Sequence, residues 1–455
     1  MREFLIPLYT EHLEEASFLY GLCRSRRRDD EWPWTDVADT EARLEAHLDA
    51  LVLGGDLALE TGLARLPDAD AGEWFALAAV VARRALAPQM AHLLRLVPLD
   101  QPGHLQALAD ALCQEVPAAW QASLVQSLQA GAEAHPVLWS LAWRRRWLPA
   151  DQVVALARRV PLAARPWCQG AWPLLAAPGA AGLLAESPLP PADDMPWAPA
   201  IGPDAASAHL AAQRGHLLPT DAPLATACVG GAEAAQALVR RWLAAGPTAP
   251  DAVATCVAVG LCGELSAVRP LLSALADGGL APHAAQALYL ITGAPLFEQV
   301  FVPDEDDDEA EARPARPLQA GGALPKPGDG RTRGEMKRLL SQDPARWQAW
   351  LSAHSGQFQA GRRHRLGQPW QAQVLLDALQ SADYPKALRP LLPLELWWRH
   401  GIDLPFDTDL RVALQRQLFS QATAAVAAER SPAGAWLLQG PSGALALQAE
   451  PSGGR

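Results

Sequence analysis

The segment from Pro250 to Gly293 constrains this chain most, because it repeats short helices of small residues that end at glycine. Asp251 can cap a helix running through Val259. Gly260-Leu-Cys-Gly263 then makes a turn. Ser266-Ala-Val-Arg-Pro-Leu-Leu-Ser-Ala-Leu275 starts a second helix, which stops at Asp277-Gly278-Gly279. The next unit begins at Pro282 and reads His283-Ala-Ala-Gln-Ala-Leu-Tyr-Leu-Ile-Thr-Gly293. Pairs of short helices leave an apolar face that only neighbouring pairs can cover, so the pattern predicts a stacked array. Weaker copies occur at Leu138–Arg146, at Ala205–Gly215 and from Gly72 onward. Asp39-Thr-Glu-Ala-Arg-Leu-Glu-Ala-His-Leu-Asp-Ala-Leu51 reads as a capped amphipathic helix. The copies are unevenly spaced, so the array is degenerate.

Elsewhere strong helix formers dominate, apolar residues recur at helical spacing, and alternating β-branched runs are scarce. One break interrupts the pattern. Asp304-Glu-Asp-Asp-Asp-Glu-Ala-Glu311 is followed by Pro- and Gly-rich sequence to Gly330. Like-charge repulsion and Pro/Gly content both oppose packing there. The expected organisation is a helical repeat array over 1–302, an acidic linker over 303–332, a C-terminal helical module over 333–438 and a fraying tail over 439–455. The module carries a Trp-containing helix around Trp347 and Trp350, then Gly361-Arg-Arg-His-Arg-Leu-Gly-Gln-Pro369-Trp370. Helix-like stretches follow at 371–380, 386–400 and 409–428.

The helix–turn–helix units resemble HEAT repeats, and the predicted fold class is an all-α, right-handed HEAT-like solenoid plus the C-terminal helical module. The combination of small-residue helices ending in Leu-Ile-Thr-Gly293, the acidic break and the Gly-Arg-Arg-His-Arg-Leu-Gly-Gln-Pro string resembles one proteobacterial HEAT-repeat family. Genes of that family tend to sit among type VI secretion genes. The resemblance covers roughly residues 1–430 and is sharpest over 254–293 and 347–400. It implies a cytoplasmic accessory of the secretion system. It carries over no catalytic residues.

Composition excludes several classes. The formal net charge is −12, which opposes a nucleic-acid partner. Only Lys326, Lys337 and Lys386 are lysines, so nearly all positive charge is arginine. The N-terminal residues lack a secretory pattern. The longest apolar stretch, Ala171–Ala185, contains Pro173, Pro178 and Gly179 and is too short to span a bilayer. A soluble, cytoplasmic protein with no membrane partner is the expectation. The six cysteines form no close pair, which argues for buried small hydrophobes over a zinc site. The chain has no His-Glu dipeptide, H-E-x-x-H helix, G-x-S-x-G elbow or P-loop. The acidic run lacks the glycine and terminal glutamate of an EF-hand. Neither a cofactor nor a metal nor a catalytic residue is expected.

The contact candidates are arginine and tryptophan. Trp139, Trp143 and Trp147 recur at i, i+4 and i+8 around Arg144-Arg145-Arg146, either as a buried stripe or as an exposed ridge offering Trp143 and Arg145. Arg362, Arg363, His364 and Arg365, with Trp370 beside them, suit carboxylate-bearing partners. Alternatively these arginines pair within the module with Glu395, Asp403 or Asp407. Of Trp397 and Trp398, one must point inward, leaving Trp398 as a contact candidate. These features predict a non-enzymatic scaffold or adaptor that binds a protein or peptide. By the resemblance, its partner is a type VI secretion component or an effector. Two alternatives stand beside it. One is an enzyme or toxin with Arg362, His364 and Arg365 facing Asp403 or Asp407. The other is a self-assembling structural protein.

Overall fold

Eleven consecutive residues, Gly72–Ala82, are buried in one helix, and that places this helix inside a layer of others. The computed structural model describes residues 2–29, 32–165, 167, 223–229, 232–245, 252–303 and 334–435. The Ala205–Gly215 repeat, most of the acidic segment and the tail fall outside the described residues. The described chain is mostly helical, and elements are numbered here among the described residues.

Contacts divide the chain into two compact units. One is drawn from Met1–Ala237 and Gln371–Glu450, and the other from Leu238–Trp370. The first unit opens with α1 (Arg2–Arg28), α2 (Ala38–Leu53), α3 (Gly55–Arg65), α4 (Ala71–Arg83) and α5 (Ala87–Leu96). It continues with α6 (Pro102–Glu115), α7 (Gln121–Ala130), α8 (Pro136–Arg144) and α9 (Ala150–Ala157). Helices α1, α4, α6 and α8 pack one against the next in chain order. Their neighbours α5 and α7 bury far less, only Met90 and Leu93 in α5 and Leu128 in α7. Small residues let the inner row close up. A Cβ on Gly72 would lie 2.6 Å from the Ser17 Cα, so α1 and α4 touch there through backbone.

Helix α4 begins with a full capping box. Asp70 Oδ1 accepts from the Glu73 N–H at 2.8 Å, and Glu73 Oε2 accepts from the Asp70 N–H at 3.1 Å. Asp70 also accepts from the Ser17 hydroxyl at 2.6 Å, which ties the cap to α1.

The first unit also contains α10 (Pro223–Val229), and α11 (Ala232–Ala245) contains the division between the units. The second unit holds α12 (Ala252–Cys262), α13 (Val268–Ala274), α14 (Ala281–Thr292), β1 (Phe297–Pro303), β2 (Gly334–Leu340) and α15 (Pro344–His354). Helices α12 and α14 cross at glycine, because a Cβ on Gly260 would lie 2.6 Å from the Ala287 Cα. Gly263 and Gly293 end these helices with φ of 75° and 65°, as glycine after a helix should.

Strands β1 and β2 correct the expected linker. They pair antiparallel from Phe297↔Leu340 to Pro303↔Gly334. The ends of the acidic segment are therefore neighbours in one ribbon. The segment is an insertion in the second unit, and its ends are not free to separate two domains. The short hairpin β3 (His364–Arg365) and β4 (Gln368–Pro369) completes this unit.

The expected module over 333–438 is likewise divided. Its first part, through Trp370, belongs with α12–α15. Its second part forms α16 (Ala372–Gln380), α17 (Leu391–His400) and α18 (Val412–Ala428), which belong to the first unit. Polar bonds explain that placement. The Trp34 indole N–H donates to Gln380 O at 3.3 Å, Lys386 Nζ to Arg26 O at 2.9 Å, and the Val412 N–H to Glu41 Oε2 at 2.9 Å.

Candidate functional site

The Gly361–Trp370 string is built as a clamp on helix ends. Leu366 and Gly367 have φ of 50° and 78°, the pair of left-handed residues that a tight two-residue hairpin turn needs. Glycine accepts this freely, whereas leucine is strained by about 1–2 kcal/mol. The turn is held by the C-terminus of α14. Leu366 N–H donates to Leu290 O at 2.8 Å and Gly367 N–H to Ile291 O at 3.0 Å. His364 N–H donates to Gly263 O at 2.8 Å, just past α12.

The arginines finish the job. Arg363 Nε donates to Cys262 O at 2.9 Å, and Arg365 Nη2 to Leu261 O at 2.8 Å. Both side chains are fully buried. The last carbonyls of a helix lack intrahelical partners and carry partial negative charge, so a guanidinium satisfies both needs. Arg363 also stacks 4.3 Å from the centre of the buried Trp370 ring. His364 Nδ1 donates to Arg362 O at 3.1 Å while Nε2 accepts from the Gln359 N–H at 3.3 Å. Those partners specify a neutral ring, and burial lowers its pKa.

Of the contact residues read from the string, Arg363, His364, Arg365 and Trp370 are therefore internal. A partner reaches them only by displacing the hairpin. Arg362 alone keeps part of its surface. Of the carboxylates named as internal partners, Asp403 binds Arg146 and Asp407 binds Arg144.

The Trp/Arg ridge is likewise folded inward. Trp139 and Trp143 are buried, and the Trp139 indole donates to Val153 O at 2.8 Å. The stripe stops there. Helix α8 ends at Arg144, Arg146 turns left-handed with φ 54°, and Trp147 N–H closes back on Ala142 O at 2.8 Å. Trp147 thus lies beyond the helix whose face it was expected to extend. Trp143 packs between Trp397 and the Arg146 guanidinium, which sits 4.0 Å from its ring centre. Arg145 is exposed, with Nη1 3.3 Å from Cys113 O. The Trp398 side chain lies outside the described residues.

The densest chemistry in the first unit gathers around Asp110, a lone charge inside the apolar run Leu105–Cys113 of α6. Asp110 accepts from the Tyr20 hydroxyl at 2.9 Å, Gln106 Nε2 at 2.7 Å and Arg144 Nη1 at 2.7 Å. Arg144 Nε also binds Asp407 at 2.6 Å. Burial pushes Asp110 up, but Arg144 and Arg24 outweigh it and hold its pKa below the usual value. Burial and the Asp110 carboxylate push the Tyr20 hydroxyl well up. Asp409 behaves oppositely. Burial, then the Asp407 and Asp110 carboxylates, raise its pKa despite Arg24 and Arg27. Nearby, Arg411 bridges Glu45 and Glu115 at 2.6 Å each, and Arg83 binds the same two carboxylates at 2.5 and 2.8 Å. The segment 403–412 is thereby stapled to α2, α4, α6 and α8.

Thiol chemistry is suppressed. Cys23, Cys113, Cys228, Cys256 and Cys262 are buried. Burial pushes Cys23 up to about 11 and Cys113 and Cys256 up to about 12. Among the described residues no three His, Cys, Asp or Glu side chains converge as a metal set. No helix of the described residues is long and apolar enough to cross a membrane.

Sequence reading missed two features. One is the Asp110 cluster, signalled by a single carboxylate in an otherwise apolar helix. The other is a face of α1 with Phe4, Leu8 and Phe18 exposed. Their spacing signals it, since steps of four and fourteen residues from Phe4 return to nearly the same side of a helix.

Fold and site together define a mostly helical protein in which arginine closes helix ends and internal carboxylate networks. Comparison with protein-family models, curated proteins and solved structures finds no match for this chain.

Proposed function

We propose that this protein is a non-enzymatic scaffold that binds another protein through its helical surface, within a HEAT-like array. The packing of α1, α4, α6 and α8 in chain order, with less buried helices beside them, supports the array. The observation that carries binding is the exposed apolar face of α1, where Phe4 is 77% and Phe18 62% accessible. Aromatic side chains left in water on a well-packed helix mark interaction surfaces. The sequence resemblance makes a type VI secretion component or effector the leading partner and the cytoplasm the setting. Co-purification of tagged full-length protein from its native cells tests this. Specific recovery of one protein, cross-linked to α1, is the expected result. Recovery of the tagged chain alone overturns it.

A further inference from the structure

We infer that the exposed face of α1 docks a basic amphipathic helix of the partner protein, an inference that rests on the scaffold reading above. Phe4, Leu8, Glu11, Glu15 and Phe18 follow at four- and three-residue steps, so they share one face of α1. Phe4, Leu8, Glu11 and Phe18 are exposed and Glu15 is half-buried. The stripe is about 21 Å long at 1.5 Å per residue, which matches four turns of a partner helix.

Charge identifies the occupant. Many buried and half-buried carboxylates of this unit are satisfied: Glu41 by Arg27, Glu45 and Glu115 by Arg83 and Arg411, Glu73 by Arg65 and Asp110 by Arg144. Even Glu14, next along α1, meets Arg65 at 3.0 Å. Glu11 and Glu15 have no ion pair among the described residues, although they flank the exposed phenyl rings. A helix with leucine or phenylalanine on one face and lysine or arginine at its edges would cover the apolar stripe. It would also supply the missing cations. A second copy of this face would instead bring four glutamates together.

The test uses the full-length protein and two labelled synthetic helices of about fifteen residues, one Leu/Lys and one Leu/Glu, read by fluorescence anisotropy. The expected result is that the Leu/Lys helix binds at least about tenfold more tightly than the Leu/Glu helix. Glu11→Lys with Glu15→Lys should invert that preference. Phe4→Ser with Phe18→Ser should abolish both. A control pair on the same unit, Asp68→Lys with Asp100→Lys, makes the same change in net charge and should leave the preference intact. Equal loss in the control would reduce the effect to overall charge and overturn the proposal. So would a dimer in light scattering that Phe18→Ser dissolves, because the occupant is then a second copy. If native co-purification still recovers a partner with the Glu11/Glu15 variant, the docking assignment fails and the scaffold reading stands. If no partner is recovered with the wild-type chain, the scaffold reading itself fails.

Discussion

In the unit drawn from Met1–Ala237 and Gln371–Glu450, Arg83, Arg144, Arg146 and Arg411 meet carboxylates. In the unit drawn from Leu238–Trp370, Arg363 and Arg365 meet the backbone carbonyls that end α12. Both arrangements take guanidinium out of water, but they depend on different things. The first depends on a charge that one substitution removes. The second depends on helix ends and on a hairpin that must hold its shape. Arg389 shows that the second solution is not confined to one unit. It binds Leu379 O at 2.9 Å and stacks 4.3 Å from Trp34. Burial lowers its pKa to about 9, which still leaves it charged at neutral pH.

Substitutions separate the two solutions. The largest effect is expected for Asp110→Ala, which leaves Arg144 and Tyr20 without their shared acceptor. Breaking a buried pair in this way costs about 3–5 kcal/mol, readable as a drop in the urea midpoint. In the other unit, Gly263→Val should cost about 3–4 kcal/mol, since a Cβ there would meet His364 O at 2.2 Å in a left-handed backbone. Its loss should appear as faster hydrogen exchange in α12 and the hairpin, with α4 and α6 unchanged. Arg363→Ala should cost about 2–3 kcal/mol, because it strands buried carbonyls and removes the stack on Trp370. If Arg363→Ala costs as much as Asp110→Ala, the distinction between the two solutions loses its basis.

Acid should act on the buried histidines. Burial lowers the His400 pKa to about 4, against Glu429 and Glu395, which raise it. The unfolded ring binds its proton near 6.5, so below that pH the unfolded state gains protons the folded state refuses. Stability from this group is therefore complete above pH 6.5 and is lost as the pH falls towards 4. Thermal midpoints at pH 7, 5.5 and 4.5 should decline, and His400→Gln should flatten the decline. The smallest effect is expected for Leu366→Gly. It should stabilise the protein by about 1 kcal/mol through relief of the left-handed leucine, offset in part by chain entropy.

The helix–glycine–helix run of 252–293 was legible because its signals are local, small residues and glycines at helix ends. The turn expected at Gly260–Gly263 is wrong, however: α12 runs on through Cys262, and Gly260 serves the crossing with α14. Helix α2 was legible too, but not its cap: Asp39 lies in the first turn, and the N-cap position is Val37, with no side-chain bond. The ribbon was not legible. Phe297-Glu-Gln-Val-Phe-Val302 has aromatic and β-branched residues but no alternation, and Gly334-Glu-Met-Lys-Arg-Leu-Leu340 is rich in helix formers and becomes a strand through pairing across thirty intervening residues. The arginine string advertised its chemistry and hid its partners. Backbone carbonyls of distant helices leave no mark in composition, whereas a nearby aspartate does. The sequence therefore offers Arg363 either as a partner contact or as half of an internal ion pair, whereas it closes a helix end more than a hundred positions earlier in the chain.

The central claim is that Gly361–Trp370 is a helix-capping clamp. Amide hydrogen exchange of the full-length protein tests it most directly. The amides of His364, Leu366 and Gly367 should be protected as well as those of α12 and α14, and Arg363→Ala should release all three together. Rapid exchange of these amides in the wild-type protein, with α12 and α14 still protected, would contradict the account and return the arginine string to the surface.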